Sequence, residues 1–118
     1  MHHIATSSDV DRLLGEPLAV LYKHSATCSL CIASAREVEQ FRCGHPDVPL
    51  YQVDVLAKRA LSRDIAARTG ITHESPQIIL LRGGTPLWHA SHFAVTATDL
   101  TAHYDAACVG ALAPSSTD

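Results

Sequence analysis

Cys28 and Cys31 form a Cys-x-x-Cys pair at the junction between an apolar stretch, Pro17 to Tyr22, and a stretch of helical periodicity that runs to about Arg42. A cysteine in the first turn of a helix meets backbone N–H groups with no partner inside the helix, together with the positive end of the helix dipole. Both favour thiolate over thiol. A second cysteine three positions on lies one turn down the same face, where the Cα atoms fall within the roughly 4.4–6.8 Å that a disulfide spans. Two thiols so placed can open and close a disulfide with little backbone movement. The chemistry expected is thiol–disulfide exchange: the Cys28 thiolate attacks a disulfide sulfur, and Cys31 or a free thiol then attacks Cys28.

Lys23 and His24 come just before this junction, where positive charge would lower the Cys28 pKa and attract a carboxylate-bearing thiol. Each also has a plainer reading: Lys23 as a solvated surface lysine, His24 as packing at a strand end, and Cys31 itself as a small buried helix residue. Cys43 and Cys108 read as ordinary thiols, His73, His89 and His92 as structural histidines near the loops, Glu74 as a solvated acid and Trp88 as strand packing. Metal binding is the rival chemistry. Cys-x-x-Cys supplies half of a tetrahedral site, yet no second Cys-x-x-Cys or His-x-x-x-His follows at finger spacing, so no metal ligand is assigned. A narrower rival is an iron–sulfur cluster shared by two chains through Cys28; a third is a binding module whose cysteines are incidental.

The elements that must position the pair can be read from pattern. Ser8 to Leu14 reads as a short amphipathic helix capped by Ser8, with Val10, Leu13 and Leu14 on one face, ended by Gly15 and Pro17. Leu18 to Tyr22 reads as a strand covered on both faces. From Cys28 onward, Cys31, Ala35, Val38 and Phe41 form a helical stripe, closed by Gly44 and Pro46. A strand follows over Pro49 to Val55, then a helix over Ala57 to Thr69 with Ala57, Leu61 and Ile65 on its buried face and Gly70 as its stop. Gln77 to Arg82 is the next strand, and Gly83-Gly84 turns it into a hairpin with Thr85 to His89. Thr96 to Asp99 starts a closing helix marked by Leu100, Tyr104, Ala107 and Cys108.

At 118 residues the chain is expected to form a single domain over 1–118, with 114–118 as a small polar tail. The longest apolar runs are only strand length, so no membrane partner is expected. A net charge of −3 with interspersed acids and bases leaves no basic footprint for nucleic acid. The first residues lack the basic start and apolar centre of a secretory signal, which makes the cytosol the expected compartment. Eight histidines would let net charge change just below neutral pH.

Helix, β-α-β, helix, hairpin, helix is the thioredoxin-like arrangement: an α/β fold with a central mixed sheet of about four strands and helices on both faces. The Cys-x-x-Cys falls at its strand-to-helix junction. Thioredoxin-like proteins carry a cis-proline facing that motif, and Ser75-Pro76 occupies the corresponding place, with the backbone before the proline pairing to the substrate chain.

Lys23 to Cys28, Val53-Asp54-Val55, His73 to Gln77, and Trp88 with Ser91-His92 together resemble the YtxJ-type bacilliredoxin-like family, over about Leu18 to Leu100. The resemblance implies a cytosolic protein that removes bacillithiol, a low-molecular-weight thiol, from mixed disulfides on S-thiolated proteins. Cys28 stands in the place of the attacking cysteine, and Lys23, His24, Thr27, Ser75 and Pro76 are candidate substrate contacts. It implies no bound cofactor, with bacillithiol as co-substrate and a flavin-dependent reductase as a candidate electron donor. The family often reads Thr-Cys-Pro-Ile-Ser where this chain reads Thr27-Cys28-Ser29-Leu30-Cys31. Proline and the final serine are therefore both missing, and Cys31 adds an internal resolving route.

Overall fold

Ala19–His24 forms a strand, β2, because its side chains find cover on both faces: residues 19 to 23 are all buried. The strand expected from the sequence ends at Tyr22, with Lys23 read as a solvated surface lysine, but the strand runs on to His24 and Lys23 continues the row as a fully buried residue. The computed structural model describes the backbone of residues 1–25 and 29–112, and the side chains of residues 1–25 and 31–109.

Around β2 the other strands assemble in the order β1-β3-β2-β4-β5, where β1 is His2–His3, β3 Leu50–Asp54, β4 Gln77–Arg82 and β5 Thr85–Ser91. The first three in that order run parallel to one another, β4 pairs antiparallel with β2, and β5 pairs antiparallel with β4. The sheet thus has five strands rather than about four. The extra one is a two-residue edge strand of histidines, too short and too polar to show any alternation. Gly83 and Gly84 take positive φ at the β4–β5 turn, as the hairpin reading required.

Four helices flank the sheet: α1 Ser7–Gly15, α2 Ser29–Gly44, α3 Arg59–Thr69 and α4 Ala97–Leu112. The cap of α1 is Thr6 rather than Ser8: Thr6 Oγ1 accepts from the Asp9 N–H while Asp9 Oδ2 accepts from the Thr6 N–H. α3 starts at Arg59, which leaves Ala57 exposed in the preceding turn, where Asp54 Oδ1 accepts from the Leu56 and Ala57 N–H groups. On α2 the buried stripe is Cys31, Ser34, Val38 and Phe41; Ala35 is exposed. Ser34 displaces Ala35 because its hydroxyl finds polar partners under the helix. α4 begins one residue after Thr96, whose Oγ1 accepts from the Asp99 N–H.

The period-two alternation of the strands sorts the interior into two layers. Ala19, Leu21, Val53, Ile79 and Leu81 pack with Val10, Leu13 and Ile65 under α1 and α3. Val20, Tyr22, Leu50, Ile78 and Leu80 pack with Val38, Phe41 and Leu100 under α2 and α4. Full burial of a Leu or Ile is worth roughly 1.5–3 kcal/mol, which is what drives these rows inward and carries Lys23 with them. Among the described residues no helix is long and apolar enough to cross a membrane.

Candidate functional site

The ends of β2 and β4 meet at one end of the sheet, with Lys23 opposite Gln77 in register. Just beyond that pair the two strands lead into the segments holding Ser25 and Ser75. Cys31, in the first turn of α2, lies between them. Its side chain is only 3% exposed. The Ser25 N–H donates to Cys31 Sγ at 3.3 Å, and Ser75 Oγ lies 3.8 Å from the same sulfur. Cys31 is a free thiol.

Beneath it the Tyr22 hydroxyl and Ser34 Oγ are 2.6 Å apart, and Ser34 Oγ donates to the Cys31 carbonyl at 3.1 Å. The Tyr22 hydroxyl also lies 3.3 Å from the Cys31 carbonyl, to which it can donate, so a buried strand residue is tied to the first turn of the helix. Sequence reading took Tyr22 as core and passed over Ser34. The signal available was its position three residues after Cys31, on the same helix face.

His24 stacks on Tyr22 at 5.4 Å between ring centroids, and with Ser25, Cys31, Ile32 and Ala35 it lines an open pocket of about 170 Å³. Ser75–Pro76 is a cis peptide bond, as expected from its position. The Ser75 backbone N–H and C=O have no hydrogen-bond partner among the described residues. Cys28 and Thr27 lie outside the described residues.

Lys23 is not the solvated lysine of the plainer reading. It shares the face of Ala19 and Leu21, so it points under α3, away from Tyr22 and the α2 layer. Its Nζ is 3.4 Å from the Ser62 carbonyl and 3.4 Å from His73 Nδ1. No carboxylate pairs with it among the described residues, and burial pushes its pKa down to about 8. Burial, then the neighbouring Lys23 and Arg63 charges, hold His73 below the usual histidine value. Neutral His73 therefore offers Nδ1 as an acceptor to Lys23 and to Ser62 Oγ, 3.1 Å away. On β4, Gln77 Nε2 donates to the Thr72 carbonyl and Ser91 Oγ, while its buried Oε1 has no partner among the described residues.

The other residues singled out in the sequence lie elsewhere. Cys43 is exposed at the end of α2 beside Glu39, and Trp88 stacks on His103 at 4.4 Å. His92 takes φ 55° at the start of a short 3₁₀ turn, His92–Ala94, and its N–H donates to the Pro76 carbonyl. Among the described residues no cluster of three or more His, Cys, Asp or Glu side chains is arranged to hold a metal ion.

Comparison with known proteins agrees with this architecture. Residues 2–100 match the family model described as "Monothiol bacilliredoxin BrxC". A solved thioredoxin-fold protein superposes with a TM-score of 0.79 at 24% identity, over 86% of this chain and 90% of its own. Fasciola hepatica thioredoxin superposes with a TM-score of 0.70 at 20% identity, over 90% of this chain and 98% of its own. Chlamydomonas reinhardtii thioredoxin f2 gives 0.70 at 15% identity, over 91% and 95%. Identities this low establish a shared fold, and the family match establishes kinship.

Proposed function

The chain belongs to the monothiol bacilliredoxin family, and from that premise we propose that it is a cytosolic thiol–disulfide oxidoreductase that clears a low-molecular-weight thiol, bacillithiol, from mixed disulfides on proteins. The Cys28 thiolate attacks the sulfur of the small thiol. The S–S bond between the small thiol and the client breaks, the client thiolate leaves and takes a proton, and the small thiol is held as a mixed disulfide on Cys28. Two exits then balance. A second small thiol attacks the captured one, leaving as a symmetric disulfide and returning Cys28 to thiolate. Alternatively the Cys31 sulfur attacks Cys28 and expels the small thiol, and the resulting Cys28–Cys31 disulfide takes two electrons from a separate reductant, for which a flavin-dependent reductase is the candidate.

The observation that carries this reading is the setting of Cys31: a buried free thiol in the first turn of α2, contacted by the Ser25 N–H and beside Ser75. Such a position supports an internal resolving thiol that stays shielded until Cys28 carries an adduct. The family's monothiol description supports the other exit. Ser75, whose backbone groups before Pro76 are unpaired among the described residues, would receive the client chain by strand-like pairing. His24, beside Cys31 in the open pocket, would contact the substrate at the entrance to the sulfur, and Thr27 is a further candidate contact by resemblance.

The test is to present one client protein as its bacillithiol, glutathione and cysteine mixed disulfides and to follow release by mass spectrometry. Faster release of bacillithiol, lost in Cys28→Ser, is the expected result. No release from any of the three overturns the proposal.

A further inference from the structure

Cys31 and Cys43 sit on the same helix and meet opposite kinds of partner. Cys43 Sγ lies 3.5 Å from Glu39 Oε2, a carboxylate oxygen that accepts, so this sulfur is the donor. Around Cys31 the order is reversed. The Ser25 N–H, which can only donate, reaches Cys31 Sγ at 3.3 Å, and Ser75 Oγ stands 3.8 Å from the same atom. Ser25 follows β2 and Ser75 precedes β4, so the sulfur is bracketed between segments that the pairing of those two strands holds together. The Ser75 hydroxyl has no other hydrogen-bond partner among the described residues. Cys31 is almost wholly withdrawn from water, so any charge on its sulfur depends on these neighbours.

Charge develops there in the internal exit. Cys31 gives up its thiol proton as Sγ attacks the Cys28 sulfur. The bond between the two chain sulfurs forms, the bond between Cys28 and the small thiol breaks, and the departing thiolate takes up a proton. Cys31 is thereby oxidised to the disulfide and the small thiol is reduced. A hydroxyl beside a thiol can donate or accept, whereas beside a thiolate it can only donate. We infer that the Ser75 hydroxyl is a catalytic residue of this exit, turning its proton onto Cys31 Sγ and, with the Ser25 N–H, holding the sulfur as an anion while it attacks. The inference rests on the exchange reaction proposed above and adds the side chain that drives internal release of the captured thiol.

Both sides of the contact are anchored. After Ser75, the Pro76 carbonyl accepts from the His92 N–H at 2.9 Å, and Gln77 opens β4 in register with Lys23. On α2, the Cys31 carbonyl accepts from Ser34 Oγ at 3.1 Å. Donors that need not move when charge appears stabilise it most, and here only the hydroxyl proton has to rotate. The role is separate from client pairing, which uses the backbone N–H and C=O of Ser75 and leaves its hydroxyl on the sulfur.

The experiment has two arms. In the first, the reduced chain meets hydroxyethyl disulfide with no free thiol present, and mass spectrometry follows the mercaptoethanol adduct on Cys28 and then the Cys28–Cys31 disulfide. The rate of exit from the adduct should fall about tenfold in Ser75→Ala, the worth of one hydrogen bond to a charged group, and Ser75→Thr should restore it. Exit as fast in Ser75→Ala as in the intact chain overturns the inference, and so does a loss that Ser75→Thr leaves in place. In the second arm, Cys28→Ser removes exchange altogether and the Cys31 Cβ resonance is followed as pH is raised. Adding Ser75→Ala should make Cys31 ionise only at about a tenfold lower proton concentration, and adding Ser75→Thr should not. Identical titrations overturn the inference. That difference, found where no Cys28 adduct forms in the first arm, would sink the exchange reading and leave the hold of Ser75 on the sulfur standing. Ser75 is half-buried and its hydroxyl makes one long contact, so the variants should fold.

Discussion

Cys31 and Lys23 lie at the same end of the same sheet and are both almost wholly buried, yet on opposite faces they meet opposite environments. Under α2 the thiol is a small, neutral group with a donor and a hydroxyl beside it, and the Tyr22–Ser34 pair fastens its helix turn to the strand. Under α3 the ammonium is a full charge with two long contacts and no counter-ion among the described residues. The thiol side is satisfied as it stands. The amine side costs stability, and such a cost is retained where a binding partner or a reaction uses it.

The largest effect should come from the motif on the thiol side. Cys28→Ser should abolish release of the small thiol, by about a thousandfold or more in a single-turnover assay. Cys31→Ser should keep capture on Cys28 and slow the internal exit on the order of tenfold, seen as an accumulating Cys28 adduct in mass spectrometry. Adducts on Cys31 but never on Cys28 would reverse the two roles.

Next in size is the amine side. Lys23→Met keeps the length of the side chain and removes the uncompensated charge, so it should raise unfolding stability near neutral pH by about 1–3 kcal/mol in urea denaturation. A loss of stability would mean that the ammonium has a counter-charge in the free protein. The same group predicts a pH dependence. The Lys23 pKa is depressed to about 8 in the fold, so the unfolded chain, with an ordinary lysine, binds more protons between about pH 8 and pH 10. Stability should therefore rise with pH across that window, on the order of 1 kcal/mol after allowance for screening, and the rise should vanish in Lys23→Met. Above about pH 10 the trend should reverse. Tyr51 and Tyr104 are pushed up to about 12, chiefly by burial, so the fold holds protons that the unfolded chain has lost.

The smallest effect should come from Tyr22→Phe. Loss of the hydroxyl should cost about 1 kcal/mol by denaturant titration, with Ser34 still donating to the Cys31 carbonyl. A cost near zero would mean that the first turn of α2 holds itself.

Much of the scaffold was legible because it rests on local rules. Apolar runs of strand length marked β2 and β4, Gly83-Gly84 marked the hairpin, and helical spacing marked Val38, Phe41, Ile65 and Leu100 as inward residues. The spacing of Cys28 and Cys31 is likewise a property of the chain alone. Where several local choices were nearly equal, the reading slipped: Ser8 for Thr6 as a cap, Ala35 for Ser34 in the α2 stripe, and an edge strand of two histidines that carries no pattern. What no local rule contains is which groups from distant segments face one another. Lys23 looks like any strand-end lysine until β4 pairs with β2 and α3 closes over it. Arg59 and Arg63 look like a solvated helix face until the segment carrying His73 folds against them. Sequence determined the spacing of Cys28 and Cys31 and most of the strands, because hydrophobic burial and backbone geometry act along the chain. Only tertiary packing decided that a thiol and an ammonium would occupy opposite faces of one sheet end, because the desolvation and charge pairing that distinguish them depend on neighbours about 40 or more positions away.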